Sequence, residues 1–406
     1  MKRPVLFDAT RLLSRIDRRA PTGIDRVCLA YAEHLLARRD LAVTPVRSLR
    51  DQLTAVDPRW FAEVVEALRA RWSGDTLRTP VEARLISALT AARRGRSLVE
   101  ADQGEGRTRR GLSQLLRQRP LGDPPRNAVY INVGHTGLDS PRILGDLAER
   151  GVARVVMVHD LIPITHPEYC RPGEGARHRT RMRCTLRNAS HIIVNSAATG
   201  AELAAFAGRE GISAPPVQVA HLGLEPLFLS PARTPAAAPY FVHVGTLEGR
   251  KNLAFLLSVW RRLDERMGPA APRLALIGRH GWENEAVLDH LQRSPNLQGL
   301  VHQVAELPDA GLARLLGGAR GLVAPSSVEG FDLPVAEALS LGVPVIASDI
   351  PVHRELAPNA RLIDPLDGPG WLTAIEAATT KAPRQAAYAA PTWAAHFEAV
   401  SAFAGL

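Results

Sequence analysis

Cysteine is scarce: the 406 residues hold three, Cys28, Cys170 and Cys184. An odd and scattered set argues against a disulfide framework. His166, Cys170, His178 and Cys184 lie near one another in sequence, but their spacing fits no zinc pattern, so no metal site is expected and the thiols read as buried apolar groups. Aromatic residues make up only 5% of the chain, which leaves few stacking platforms for single-stranded nucleic acid. No helix-turn-helix, finger or RNP-like pattern is present either, so nucleic acid is not an expected partner. No apolar run approaches a membrane span, and the opening "MKRPVLFDATRLLSRIDRR" carries charge too early for a secretory leader. The expectation is a cytoplasmic protein. No G-x-G-x-x-G follows a strand pattern, which weakens an NAD-binding reading.

What is present is a globular composition, 46% hydrophobic, in a chain long enough for two or three domains. The formal net charge is +9, and its excess sits in the first half. Arginines occupy positions 93, 94, 96, 107, 109, 110, 117 and 119, and "RHRTRMRCTLR" (177–187) adds more with no acid between them. Two readings stay open for these runs: a solvated basic face, or contact with an anionic membrane or acceptor.

Short β-branched runs alternate with helical patterns, the signature of parallel sheets flanked by helices. Strands are expected at 5–9, 41–46, 128–133, 153–160, 191–196 and 217–221. After a proline- and alanine-rich connector, "LSPARTPAAAP" (229–239), further strands are expected at 240–245, 273–278, 300–304, 321–326 and 344–348. The expected fold is therefore α/β, with two Rossmann-like domains and a cleft between them. The domains are placed at 1–230, with a basic insertion at about 90–120, and at 240–385; residues 386–406 are expected to form a helix packing back on the first domain.

Two segments carry chemistry. In "HVGTLEGRKNLAFLLSVWRRL" a strand ends at Gly245 and a helix begins near Asn252, which sets Arg250 and Lys251 beside a helix N-terminus where free N–H groups and the dipole favour anions. The alternative is a pair of ordinary solvated basic residues. In "GLVAPSSVEGFDLPVAEALSLGVPVIAS" two glutamates, Glu329 and Glu337, fall where the pattern is otherwise interior, and buried carboxylates need partners. A carboxylate accepts two hydroxyls at once, so a vicinal diol of a ribose or hexose is a natural partner, while the loop N–H groups from Gly330 through Phe331 and Asp332 to Leu333 suit phosphate oxygens. Glu337 also reads as a plain helix-surface residue.

Taken together, "VGTLEGRKN", "IGRHGWENE", "VVMVHDLIP" and the long segment around "EGFDLPVAE" resemble the retaining family 4 glycosyltransferases of the GT-B fold, most specifically between 240 and 356; a glutamate followed eight positions later by a second is that family's mark. The resemblance implies a hexosyltransferase that uses a nucleotide-diphosphate sugar, needs no cofactor or metal, and acts on a saccharide or lipid-diphosphate-linked acceptor in surface polysaccharide synthesis, with a peripheral approach to the inner face of a membrane. It assigns Glu329 to the donor sugar, Glu337 to the ribose, Lys251 with Arg250 to the diphosphate, and Thr246 and the 330–333 loop to the donor. His159 would face the donor sugar, and Gly23, in "PTGIDR", would lie in a glycine loop close to phosphate and acceptor. Ser196 matches a recurrent serine without an assigned role. Catalysis would rest on His159, Lys251 and Glu329, with the leaving phosphate taking the acceptor's proton. On this reading Lys251→Ala lowers turnover on the order of 100-fold with less effect on folding.

Two positions depart from the family pattern, Asp25 and Asp332, where glycine is more usual. A carboxylate beside a diphosphate is repelled unless it turns to cap a helix or to accept hydroxyls. The rival functions are a nucleotide-sugar epimerase or phosphorylase of the same fold, and a noncatalytic nucleotide-binding scaffold.

Overall fold

The computed structural model describes residues 2–74, 78–91, 95–100, 118–230, 233–383 and 385–406. They form two compact units, the first made of 1–72, 105–223 and 392–406, the second of 73–104 and 224–391. Both are α/β.

The sheet of the first unit runs, in spatial order, Gln118–Pro120, Gln52–Val56, Leu41–Leu49, Arg3–Asp8, Val129–Asn132, Ala153–Val158, His191–Val194 and Val217–Val219. Pairing is parallel from Leu41–Leu49 to Val217–Val219. Its other end is antiparallel: Leu41–Leu49 turns back into Gln52–Val56 through Arg50 and Asp51, both at positive φ. That hairpin is not expected from the sequence reading, because its turn lacks the glycine or asparagine that normally announces one. The central strands are apolar on both faces, and Val129, Tyr130, Ile131, Val156, Met157 and Val158 are fully buried, as helix-covered parallel strands require. The helix Trp393–Ala404 belongs to this unit; Trp393 stands against Gly223, where an added Cβ would lie 2.1 Å from the Trp393 nitrogen.

The second unit holds a fully parallel sheet in the order Val301–Val304, Arg273–Ile277, Tyr240–Val244, Gly321–Ala324, Val345–Ser348 and Arg361–Ile363. Leu256, Leu257, Trp260 and Leu263 of the helix Leu253–Met267 pack on it with Phe241, Leu274 and Trp371. The division of the chain differs from the sequence expectation at two places. The break falls at Gly223–Leu224, before the connector 229–239, because Thr234 and Ala236 donate backbone hydrogen bonds to Gly317 and Gly318 and so tie the connector to the second unit. Residues 73–104 also join the second unit. Glu82, wholly buried, takes two 2.7 Å hydrogen bonds from Arg314, and Val99 bridges Gln303 on the outer strand Val301–Val304, which covers a sheet edge that would otherwise present open backbone groups.

Candidate active site

In the second unit the site is assembled from the carboxyl ends of neighbouring parallel strands. The strand Tyr240–Val244 ends at Gly245, whose φ of 152° favours glycine; a Cβ there would lie 2.8 Å from Lys251 Cε and displace the end of that side chain. The chain then crosses Thr246 and makes one 3₁₀ turn, Gly249–Lys251, before Asn252 at φ 53° starts the helix Leu253–Met267. Arg250 and Lys251 therefore stand immediately before a helix N-terminus, as expected. A backbone hydrogen bond of 2.8 Å from Ser327 N–H to the Arg250 carbonyl ties this turn to the loop that follows Gly321–Ala324.

That loop delivers Glu329. Its carboxylate lies 2.5 Å from Arg250 Nη1 and 2.5 Å from Lys251 Nζ. Lys251 is buried and also lies 3.6 Å from Asp332 Oδ1, while Arg250 makes a second pair, at 2.6 Å, with Glu248. Burial alone would raise the Glu329 pKa, but the Arg250 and Lys251 charges outweigh it and hold the carboxyl ionised. The basic residues are thus neither free nor solvated: they are the partners the buried glutamate demands.

Asp332 sits at the start of the helix Leu333–Ser340 with φ 68° and ψ 65°, a left-handed conformation that explains why glycine suits this position. Its second oxygen is 3.0 Å from Nε2 of His353, in the helix Pro351–Leu356, and His353 Nδ1 is 2.8 Å from the Ser348 carbonyl. His353 is wholly buried. Sequence reasoning missed it; the signal was a histidine directly after the apolar "IPV" that follows "PVIASD", 21 residues beyond Asp332. Glu337 is buried inside Leu333–Ser340, so the helix-surface alternative is corrected. Gly330, Phe331 and Leu333 are buried, and Thr246 is partly exposed.

In the first unit His159 follows the strand Ala153–Val158. It is buried, and its Nε2 is 2.7 Å from the Val133 carbonyl; the neutral ring that donates there keeps Nδ1 as an acceptor. Burial pushes its pKa down to about 4. The ring centroid of His135, a residue at φ 59°, is 4.9 Å away, and the His159 N–H donates to His135 Nε2. Gly23 is the first residue of the helix Gly23–Ala37 rather than part of a loop. Asp25 is the capping-box partner of Thr22, accepts from Arg11 Nε at 2.6 Å, and is wholly buried. It has turned to cap the helix, which removes it as a repulsive carboxylate. Ser196 is also a cap: its hydroxyl accepts from Thr199 N–H at the start of Ala197–Glu210.

The basic runs read differently in three dimensions. Arg177 and Arg181 pair with Asp139, and Arg179 and Arg183 with Glu210, so the acids absent from the run come from elsewhere. Arg93, Arg94, Arg107, Arg109, Arg110 and Arg117 lie outside the described residues. Among the described residues no helix is long and apolar enough to cross a membrane, and no three histidine, cysteine or carboxylate side chains gather as a metal site.

Comparison with known proteins follows the same division. Residues 238–380 match the family described as Glycosyl transferases group 1. The chain is 30% identical over 238 residues to the serotype-specific mannosyltransferase WbdA of Escherichia coli, a stretch covering 55% of this chain and 28% of that relative. It is 36% identical over 129 residues to the O-antigen chain mannosyltransferase B of Escherichia coli, covering 32% of this chain and 33% of that one. The chain therefore spans about a third or less of the length of these relatives. Over nearly its whole length it superposes on the sucrose-phosphate synthase of Thermosynechococcus elongatus, with a TM-score of 0.58, 17% identity and coverage of 99% and 95%. A second such structure is HepE of Anabaena in complex with UDP and glucose, with a TM-score of 0.58, 14% identity and coverage of 98% and 95%. Residues 238–380, which hold the Lys251–Glu329–Asp332 cluster, are the part that matches the Glycosyl transferases group 1 family, and the chain has the GT-B fold.

Proposed function

We propose that the protein is a retaining, metal-independent hexosyltransferase of surface polysaccharide synthesis, which moves a hexose from a nucleotide-diphosphate sugar to a saccharide or lipid-linked saccharide acceptor. The observation that carries this is the cluster of Arg250, Lys251, Glu329 and Asp332 at the carboxyl ends of the parallel strands, beside the N-termini of two helices, Leu253–Met267 and Leu333–Ser340. Strand ends at helix N-termini are where an α/β sheet binds phosphorylated ligands. Here Lys251 and Arg250 offset charge on the leaving diphosphate, Glu329 meets sugar hydroxyls, and the buried Glu337 takes the ribose. Thr246, Gly330, Phe331 and Leu333 line the donor.

Glu329 is held between two cations and is a poor nucleophile in that setting, which favours transfer without a glycosyl-enzyme intermediate. The bond from the sugar's anomeric carbon to the phosphate oxygen breaks, the bond to the acceptor oxygen forms on the same face, and the acceptor's proton passes to the leaving phosphate. His159, neutral above about pH 4, supplies a hydrogen bond rather than a charge. The curated relatives are mannosyltransferases by name, so GDP-mannose is the first donor to test. We place the enzyme in the cytoplasm, with the arginines of the 90–120 segment meeting anionic lipid or the acceptor's diphosphate.

The test is incubation with radiolabelled GDP-mannose and UDP-hexoses and a lipid-linked acceptor, with and without a chelator. Transfer that survives chelation and keeps the donor's anomeric configuration is the expected result. Free sugar alone, epimerised donor or sugar phosphate would point to the rival enzymes, and no turnover with retained nucleotide binding to a scaffold.

A further inference from the structure

Both ring nitrogens of His353 face acceptors. Nδ1 lies 2.8 Å from the Ser348 carbonyl oxygen and Nε2 lies 3.0 Å from the Asp332 carboxylate. A neutral imidazole has one N–H and one lone pair, so one of these contacts would then set lone pair against lone pair. Only the imidazolium donates to both. Burial by itself would lower the His353 pKa, but the Asp332 hydrogen bond and charge, with the Ser348 carbonyl, outweigh it and raise the pKa. The same pairing, with the Lys251 charge, overcomes burial to hold Asp332 ionised.

The charge count around the site gives this a consequence. Arg250 and Lys251 contribute two positive charges, while Glu248, Glu329 and Asp332 contribute three negative ones. With His353 neutral these ion-paired groups would be net negative where an anionic donor has to bind; with the imidazolium these groups are balanced, and the donor site as a whole is one charge less negative. We propose that Asp332 and His353 form a buried carboxylate–imidazolium pair whose positive member offsets Asp332, so that the diphosphate of the nucleotide sugar can approach Lys251. This rests on the donor-binding reading of the cluster above. His353 is a positioning residue: it acts through Asp332 and Lys251, and the pair supplies at position 332 a side chain where glycine would leave none.

Other charged and titratable groups face the pair. Glu329 and Lys251 face it from the preceding loop and the 3₁₀ turn. His243, on the strand Tyr240–Val244, donates from Nδ1 to the Val323 carbonyl at 3.0 Å, and its pKa is pushed by burial and by the Lys251 charge down to about 4. On the helix of His353 itself, Arg354 is exposed and paired with Asp349.

The experiment is calorimetric titration of the full chain with GDP-mannose and UDP-glucose, whose diphosphates do not titrate in the range used, from about pH 6.5 to about pH 8.5. Wild type, His353→Gln, Asp332→Gly and the double variant are compared; glycine takes a φ of 68° without strain, so Asp332→Gly keeps the backbone. Glutamine is neutral at every pH. His353→Gln is therefore expected to bind the donor on the order of tenfold more weakly than wild type at the acidic end, a coupling equivalent to one pKa unit, with the gap narrowing as pH rises. Removing the carboxylate should rescue it: the double variant should bind like Asp332→Gly alone. Equal affinity of His353→Gln and wild type, or no rescue, overturns the pair while leaving the donor-binding reading intact. Failure of wild type to bind either nucleotide sugar overturns both.

Discussion

Replacing Lys251 with methionine tests whether the buried ion cluster is structural as well as functional. The sequence reading expects Lys251→Ala to lower turnover with less effect on folding. The geometry revises that, because Lys251 is 4% exposed and lies between Glu329 Oε1 at 2.5 Å and Asp332 Oδ1 at 3.6 Å. Removing one member of a buried pair typically costs about 3–5 kcal/mol, because it strands a desolvated charge. Glu329 keeps Arg250 and Asp332 keeps His353, so neither is wholly stranded, and a cost of about 2–3 kcal/mol follows. For a unit of this size each kcal/mol moves the melting temperature by about 2–4 °C, so the transition of the second unit should fall by about 4–12 °C. The assay is calorimetric melting of wild type, Lys251→Met, Glu329→Gln and the double variant. Neutralising both partners should recover part of the loss, giving a coupling energy of about 1 kcal/mol or more. A Lys251→Met transition within about 1 °C of wild type, or strictly additive single losses, would refute the claim that Lys251 is held by these carboxylates.

Because the folded-state pKa of His353 is raised, its contribution to stability is fully present below the unfolded value near 6.5 and is lost as pH rises through the folded value; denaturant unfolding of wild type against His353→Gln should show a difference that shrinks on going alkaline, and one that grows would contradict the assignment. Glu337→Ala should weaken binding of free nucleotide, whereas Glu329→Ala should weaken binding of the nucleotide sugar far more than of the nucleotide; calorimetry with both ligands reads this, and equal losses throughout would dismiss the division of roles. Asp25→Ala removes a capping-box acceptor and the partner of Arg11, at a cost of about 1–2 kcal/mol for the cap alone, and a melting curve unchanged from wild type would show that the cap contributes nothing. Replacing Arg107, Arg109 and Arg110 should reduce sedimentation with anionic liposomes at low salt and leave neutral liposomes unaffected; equal partitioning into both would assign these arginines to a solvated face.

The chain positions of most strands, and the presence of carboxylates in an interior pattern, were legible in the sequence because both depend on local pattern, whereas the outer strands Gln52–Val56, Gln118–Pro120 and Arg361–Ile363 were not. Runs such as "RVVMV" and "YFVHV" are dominated by apolar residues, as strands buried on both faces must be, and the strand end at Gly245 and the helix starts at Asn252 and Pro334 are each set by residues next to them in the chain. Glu329 and Glu337 could be singled out for the same reason: a carboxylate in an interior pattern announces a missing partner. Which partner it takes was a tertiary matter. Arg250 and Lys251 are some eighty residues from Glu329 and reach it only because Tyr240–Val244 and Gly321–Ala324 are neighbours in the sheet. His353 became part of the site by the next crossover, from Gly321–Ala324 to Val345–Ser348. Likewise no local signal placed 73–104 in the second unit, where Glu82 meets Arg314 and Val99 meets Gln303, or supplied Asp139 and Glu210 to a run of arginines that contains no acid of its own. Sequence spacing fixes which residues share a strand end; only the pairing of distant strands decides which charges share a site, and with them whether a buried histidine carries a proton.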